Sequence, residues 1–234
     1  MRVNKILNNK IWDTVCDDPD CDLLSVEIKP EVRKILLKIA YEFIQSLDTK
    51  VPFVDIIFTG SMANYNYGDQ SDIDLHILYD FNEVNDDQDL VKQFMDAKRR
   101  IWNSTHNLKV YGHDVELYPQ DSKEPHHSTG VFSVLKNKWE IFPKRSEPAV
   151  DEKNVSKKTD DLMNRIDSLT SIQNKITGLK NLKDKIMKMR RLGLEREGEF
   201  SEENLVFKNL RNSGYIGKLN DIIKSEYDDS LSLV

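Results

Sequence analysis

Two aspartates, Asp72 and Asp74, alternate with apolar residues in "SDIDLHILYDF". Successive side chains of a strand point to opposite faces, so a strand here buries Ile73, Leu75 and Ile77 and sets both carboxylates on the other face. Carboxylates held that close repel each other unless a cation or a proton intervenes. Magnesium takes hard oxygen ligands and commonly combines one or two carboxylates with substrate phosphates. A third carboxylate on a neighbouring strand would complete a two-metal arrangement suited to chemistry at phosphorus. The next acidic residues in a strand-like pattern are Asp114 and Glu116 in "HDVELYP", with Val115 and Leu117 facing the other way. Upstream, Gly60 lets the backbone approach an anion closely and Ser61 adds a hydroxyl. The backbone N–H groups that follow can point at phosphate oxygens.

Those side chains need elements to hold them. Pro30 reads as the first-turn proline of a helix to about Leu47, apolar at Val32, Ile35, Leu36, Ile39, Phe43 and Leu47. "VDIIF" (Val54 to Phe58) reads as a buried strand ending at Thr59-Gly60. The segment from Ser61 to Tyr67 reads as a short helix closed by Gly68, and Asp72 to Tyr79 as the second strand. A helix is expected from about Leu90 to Trp102, apolar at Leu90, Phe94, Ala97, Ile101 and Trp102. "LKVYGHDVELYP" follows as one strand bent at Gly112 or as two short strands. "GVFSVLKNKWEIFP" reads as a strand pair or a strand and turn.

Near "PKRSEPAVDEKNVS" the prolines and mixed charges mark a boundary. Beyond it Leu162, Ile166, Leu169, Ile172, Ile176, Leu179, Leu182, Ile186 and Met189 recur in steps of three and four, the stripe of a long amphipathic helix ended by Gly193 and Gly198. Such a stripe is core or interface. "SEENLVFKNL" starts another helix, with Ser201 and Asn204 as a partial capping signature.

The chain has 234 residues, 38% of them hydrophobic and 32% charged, enough for a real core. The formal net charge of −6 is unevenly placed, −7 through Val150 and +1 beyond it. An acidic front half argues against tight binding of a long duplex, because phosphate affinity needs basic side chains. It leaves room for a nucleotide escorted by metal ions. The apolar runs are too short and too broken by charge for a membrane span, and the N-terminus lacks the apolar stretch of a signal peptide. A cytoplasmic protein with no membrane partner is expected, with Cys16 and Cys21 as two reduced thiols.

The motif set resembles the DNA polymerase β-like nucleotidyltransferase superfamily, whose pattern is a strand, Gly-Ser or Gly-Gly, about ten residues, then Asp-apolar-Asp-apolar, with a third carboxylate on a later strand. The matching elements are Gly60-Ser61, Asp72-Ile73-Asp74-Leu75, and Asp114 or Glu116. More loosely, "VELYPQD", "STGVFSV" and "EENLVFKNLRNSGYIGKL" look like nucleotidyltransferase-like proteins of tailed bacteriophages. The resemblance implies that Gly60 and Ser61 contact the triphosphate of an NTP such as ATP. It implies that Asp72 and Asp74 bind Mg2+ or Mn2+, with Glu116 preferred as the third ligand because it lies deeper in the strand. The fold it implies is α+β, a small mixed or antiparallel sheet with helices on one face, over residues 1–148. A C-terminal helical domain over 149–234 follows, with the nucleotide bound in a cleft between the two. The activity implied is transfer of an NMP to a hydroxyl acceptor: a protein side chain, an RNA end, a small molecule or a second nucleotide. The rival is a non-catalytic binding module acting through its long helix, which also offers a surface for oligomerisation.

Other residues carry weaker signals. His76 shares the face of Asp72 and Asp74, and a strand-end histidine is usually satisfied by a polar neighbour. His113, His126 and His127 lack zinc-site spacing. Tyr65 and Tyr67 suit base stacking or simple packing. Between Lys175 and Arg191 seven basic residues stand against Asp184 alone, a solvated helix face or a phosphate-binding wall.

Overall fold

The computed structural model describes residues 7–13, 26–48, 51–126, 128–144, 150–172 and 175–232; Cys16, Cys21 and His127 lie outside them. The chain divides into two compact units, Met1–Ser146 and Glu147–Val234.

In the first unit β1 (Trp12–Asp13) and β2 (Glu27–Ile28) form a small antiparallel ribbon. Helix α1 (Pro30–Ser46) has proline in its first turn and buries Val32, Leu36, Ile39, Ala40 and Phe43. Strand β3 (Phe53–Thr59) leads through a 3-10 turn, Ser61–Ala63, to β4 (Ile73–Tyr79). The short α2 (Phe81–Val84) and the longer α3 (Gln88–Thr105) follow, capped by the carboxylates of Asp80 and Asp87. Then come β5 (Lys109–Val110), β6 (His113–Asp121), β7 (Val131–Ser133) and β8 (Lys138–Ile141). Six strands make a mixed sheet in the order β5-β6-β4-β3-β7-β8, antiparallel except where β4 and β6 run parallel. A parallel pair needs a long crossover, supplied here by α2 and α3.

One face of this sheet is the core. Ile56, Phe58, Ile73, Leu75, Ile77, Tyr79 and Leu117 join α1 and the Val91 and Met95 side of α3 in one buried cluster. Trp12 stacks on Phe58 (centroids 5.4 Å, 7° apart) and on Trp139 (4.7 Å), with Phe132 edge-on at 5.2 Å. Its indole N–H donates to the Met62 carbonyl at 2.9 Å, so the aromatic stack props the Ser61–Ala63 turn from within the core. Arg33 ties α1 to the β7–β8 hairpin by donating to the carbonyls of Val134 and Leu135, each at 2.8 Å.

Three expectations change. The short helix after Ser61 shrinks to one 3-10 turn, because Gly60 enters it at a φ of +76° and the chain is extended again at Asn64. Helix α3 buries Val91 and Met95, leaving Leu90 57% and Ile101 60% exposed. The long C-terminal helix is two helices, α4 (Glu152–Thr170) and α5 (Ile176–Glu197). At the end of α4 the hydroxyls of Ser168, Thr170 and Ser171 donate to the carbonyls of Asn164, Asp167 and Asp167, a local alternative to continued helix. The apolar stripe survives the break, since Ile166, Leu179, Leu182 and Ile186 share one core.

That second unit is completed by α6 (Glu202–Asn212) and α7 (Tyr215–Leu231), which add Leu205, Val206, Phe207, Leu210 and Leu219 to its core. Ser201 caps α6 by accepting from the Asn204 N–H at 3.3 Å. The basic run of α5 is largely engaged within the unit. Lys175 pairs with Glu226 at 3.0 Å, Lys180 lies over Tyr227, Arg190 over Phe207, and Arg191 reaches Glu195. Among the described residues no helix is long and apolar enough to cross a membrane.

Candidate active site

The second face of the sheet is polar where β4 and β6 meet. Their parallel register sets Asp74 beside Glu116, His76 beside Tyr118 and Leu78 beside Gln120, each pair on one face. Asp72, just before β4, joins the first row. Ligand atoms of Asp72, Asp74 and Glu116 all lie within 4.8 Å of one another. Among the described residues no other three His, Cys, Asp or Glu side chains come together in this way. Asp114 is not among them: its carboxylate is paired with Lys109 across the β5–β6 hairpin.

Gly60 shows why the turn after β3 requires glycine. Its φ of +76° with ψ −163° belongs to a region essentially closed to other residues. A Cβ on it would sit 1.8 Å from Asp74 Oδ2, so the backbone passes directly over that carboxylate. The loop between turn and strand is tied at Ser71, whose hydroxyl accepts from the Gly68 N–H at 2.9 Å and from Ser61 Oγ at 3.0 Å. The Ser61 hydroxyl proton is therefore committed to Ser71. The ring of buried His113 donates from Nδ1 to the Ser71 carbonyl at 2.7 Å, which fixes the backbone immediately before Asp72.

The remaining candidates resolve differently. His76 donates from Nδ1 to Gln120 Oε1 at 2.7 Å, the polar neighbour such a residue needs. Burial lowers its pKa to about 4, with the charges of His126 and Arg99 acting the same way and the Gln120 bond opposing them. Tyr65 is a core residue, and Tyr67 is half-buried against the same core. His113 is held at Ser71 and Asn8, while His126 borders a cavity that Asp74 also lines. That cavity, of about 300 Å³, runs from Gly60 and Asp74 across His76 and Tyr118 to Gln120. Tyr118 and Gln120 follow Glu116 at alternate positions of β6, a sequence signal that places them on its face. Thr59, Glu124 and Ser128, which also border the cavity, carry no such signal.

Residues 40–138 match the nucleotidyltransferase domain family. The match covers less than half of the chain and spans β3 to the start of β8, including Gly60, Ser61, Asp72, Asp74 and Glu116. No curated protein and no solved structure matches the chain, and the likeness to tailed-bacteriophage proteins finds no support. The nucleotidyltransferase match and the carboxylate geometry bear on the same strands, β4 and β6.

Proposed function

We propose that the protein is a metal-dependent nucleotidyltransferase that moves an NMP from an NTP to a hydroxyl acceptor, with residues 1–148 as its catalytic domain and 149–234 as a helical domain. The observation that carries this reading is the trio of carboxylates within 4.8 Å, set beside a glycine turn that only glycine can form. Three hard oxygen donors that close suit a divalent ion, and Asp72, Asp74 and Glu116 would hold it. Bound Mg2+ or Mn2+ would offset the charge on the transferring phosphoryl group and help to activate the attacking hydroxyl.

The chain's own contribution is placement. The Gly60–Ala63 turn offers backbone N–H groups to phosphate oxygens beside the carboxylates. The strand pair β4–β6 fixes the carboxylates on a rigid scaffold, so that little reorganisation accompanies in-line attack. His113, through the Ser71 carbonyl, keeps Asp72 at the mouth of β4.

The test incubates the full chain with α-labelled NTPs, Mg2+ or Mn2+ and a cell lysate, and follows label and released pyrophosphate. Asp72→Asn and Asp74→Asn should each abolish transfer while the apo variants melt at the same or a higher temperature, because like-charge repulsion is relieved. Full transfer by either variant would sink the metal assignment.

A further inference from the structure

Helix α3 carries a second apolar stripe beside the one it buries. Val91 and Met95 face the core, whereas Leu90 (57% exposed), Phe94 (36%) and Ile101 (60%) stand in solvent with exposed Ala97 between them. Positions 90, 94, 97, 101 and 104 follow one another in alternating steps of four and three, the seam spacing of a helix that packs along another helix. At roughly 100° per residue this seam lies nearly opposite Arg99, the α3 side chain that covers the Tyr118 ring at the edge of the site cavity. Beside the seam a groove of about 540 Å³ opens between α3 and the end of α1, bordered by Glu42, Gln45, Lys98, Ile101, Trp102 and Thr105. The Trp102 indole, with the His106 ring stacked on it at 3.9 Å, gives that groove an aromatic wall. Large apolar side chains exposed in one line, next to an open groove, mark a surface that another helix covers.

The charges along α3 identify the covering helix. Its approach and first turn hold Asp86, Asp87 and Asp89, all exposed, with no basic residue from Asp80 to Val91. From Ala97 to Thr105 the signs reverse, with Lys98, Arg99 and Arg100 and no acidic residue. Arg99 is paired with Asp96 at 3.3 Å, whereas Arg100 is exposed beside the seam. These signs suit the helix's own macrodipole, which accounts for neither the apolar seam nor its exposure. A helix acidic at one end and basic at the other is complementary to itself turned end for end. We propose that the exposed seam of α3 is a homodimer interface, in which α3 packs antiparallel against α3 of a second copy of this chain. A two-fold axis across the seam brings Leu90 of each copy beside Ile101 of the other, and Phe94 beside Ala97. Arg100 of each copy then stands over the acidic first turn of the other, and symmetry makes that contact twice. A parallel pair would instead set like charges together. The face of one 18-residue helix with its groove is small for a stable interface, below roughly 1,200 Å², so association in the micromolar range is expected. The assignment is independent of the nucleotidyl-transfer reading.

Sedimentation equilibrium of the full chain, from below one micromolar to several hundred micromolar, measures the association. The parent should show a monomer–dimer equilibrium with a micromolar Kd that weakens as salt rises, because the charge contacts are exposed. Ile101→Glu should weaken the dimer at least tenfold. Arg100→Glu should weaken it at least fivefold, and so should Asp86→Lys combined with Asp89→Lys. A chain carrying all three charge reversals should return to within twofold of the parent, since opposite charges meet again across the two-fold axis. A variant that had merely misfolded would not be rescued by further reversals. A parent that stays monomeric over the whole range overturns the proposal and leaves the seam to a different protein. A dimer whose Kd is unchanged by Ile101→Glu overturns it by placing the interface elsewhere. Failure of the triple reversal to restore association overturns the antiparallel pairing on which it stands.

Discussion

Replacing Gly60 by alanine separates the strain of a turn from its fit over a ligand. A non-glycine residue in the backbone region of Gly60 costs about 1–3 kcal/mol. The added methyl also starts 1.8 Å from Asp74 Oδ2, where real Cβ atoms keep at least 3.0 Å, so the carboxylate or the turn must move by more than 1 Å. Magnesium–oxygen distances of roughly 2.0–2.1 Å leave no room for a ligand displaced that far. Disturbing the support of a single ligand typically weakens a metal site about 10–100-fold, and a similar loss of Mn2+ affinity is expected for Gly60→Ala. Gly112→Ala is the control. That glycine also has a positive φ, +89°, yet a Cβ there meets nothing within 4 Å. It should cost about 1–2 kcal/mol in stability and leave Mn2+ binding untouched. Urea unfolding measures the first quantity and Mn2+ titration by electron paramagnetic resonance the second. Parent-like Mn2+ affinity in Gly60→Ala, or an equal loss in Gly112→Ala, would refute the argument that this turn is shaped around Asp74.

The other predictions concern single side chains. Glu116→Gln should be as damaging to Mn2+ binding and transfer as the aspartate changes, whereas Asp114→Asn loses only an exposed pair with Lys109 and should cost about 0–1 kcal/mol with little effect on either. His76 has its folded pKa depressed from about 6.5 to about 4, so the unfolded chain takes up a proton in that interval that the folded chain does not. Its contribution is fully present above pH 6.5 and is lost as pH falls towards 4, about 3 kcal/mol in all, and the urea midpoint of His76→Gln should fall less steeply with acid than that of the parent. Gly193→Ala should destabilise the helical unit by about 1–3 kcal/mol, because a Cβ would lie 2.7 Å from Ser201 Oγ and 2.8 Å from Glu203 Cβ; thermal unfolding monitored by circular dichroism checks this.

Strands β3 and β4 were legible because their alternation is strict and Gly60 punctuates it. Asp114 and Glu116 were not separable, since positions two apart share a face; only the parallel register that pairs Asp74 with Glu116 distinguishes them. Helix α3 misled because "LVKQFMDAKRRIW" contains two adjacent apolar stripes, and periodicity does not say which one meets the sheet. The α4–α5 break was hidden for a related reason, as helices folded back on one core keep burying residues at similar spacing across the turn. The cavity wall was the least readable part. Thr59, Gln120 and Ser128 come from three separate segments that only the folded chain brings to one cavity.

The stack of Trp12 on Phe58 and Trp139 also makes the molecule its own optical probe. The three tryptophans, Trp12, Trp102 and Trp139, all belong to the first unit, while α4 to α7 carry none. Tryptophan emission therefore watches only the unit whose sheet bears the carboxylates. Far-ultraviolet ellipticity is weighted towards helix and draws heavily on the other unit. One melt recorded at both wavelengths follows the two units separately, so a variant's damage can be assigned to the sheet or to the helices without cutting the chain.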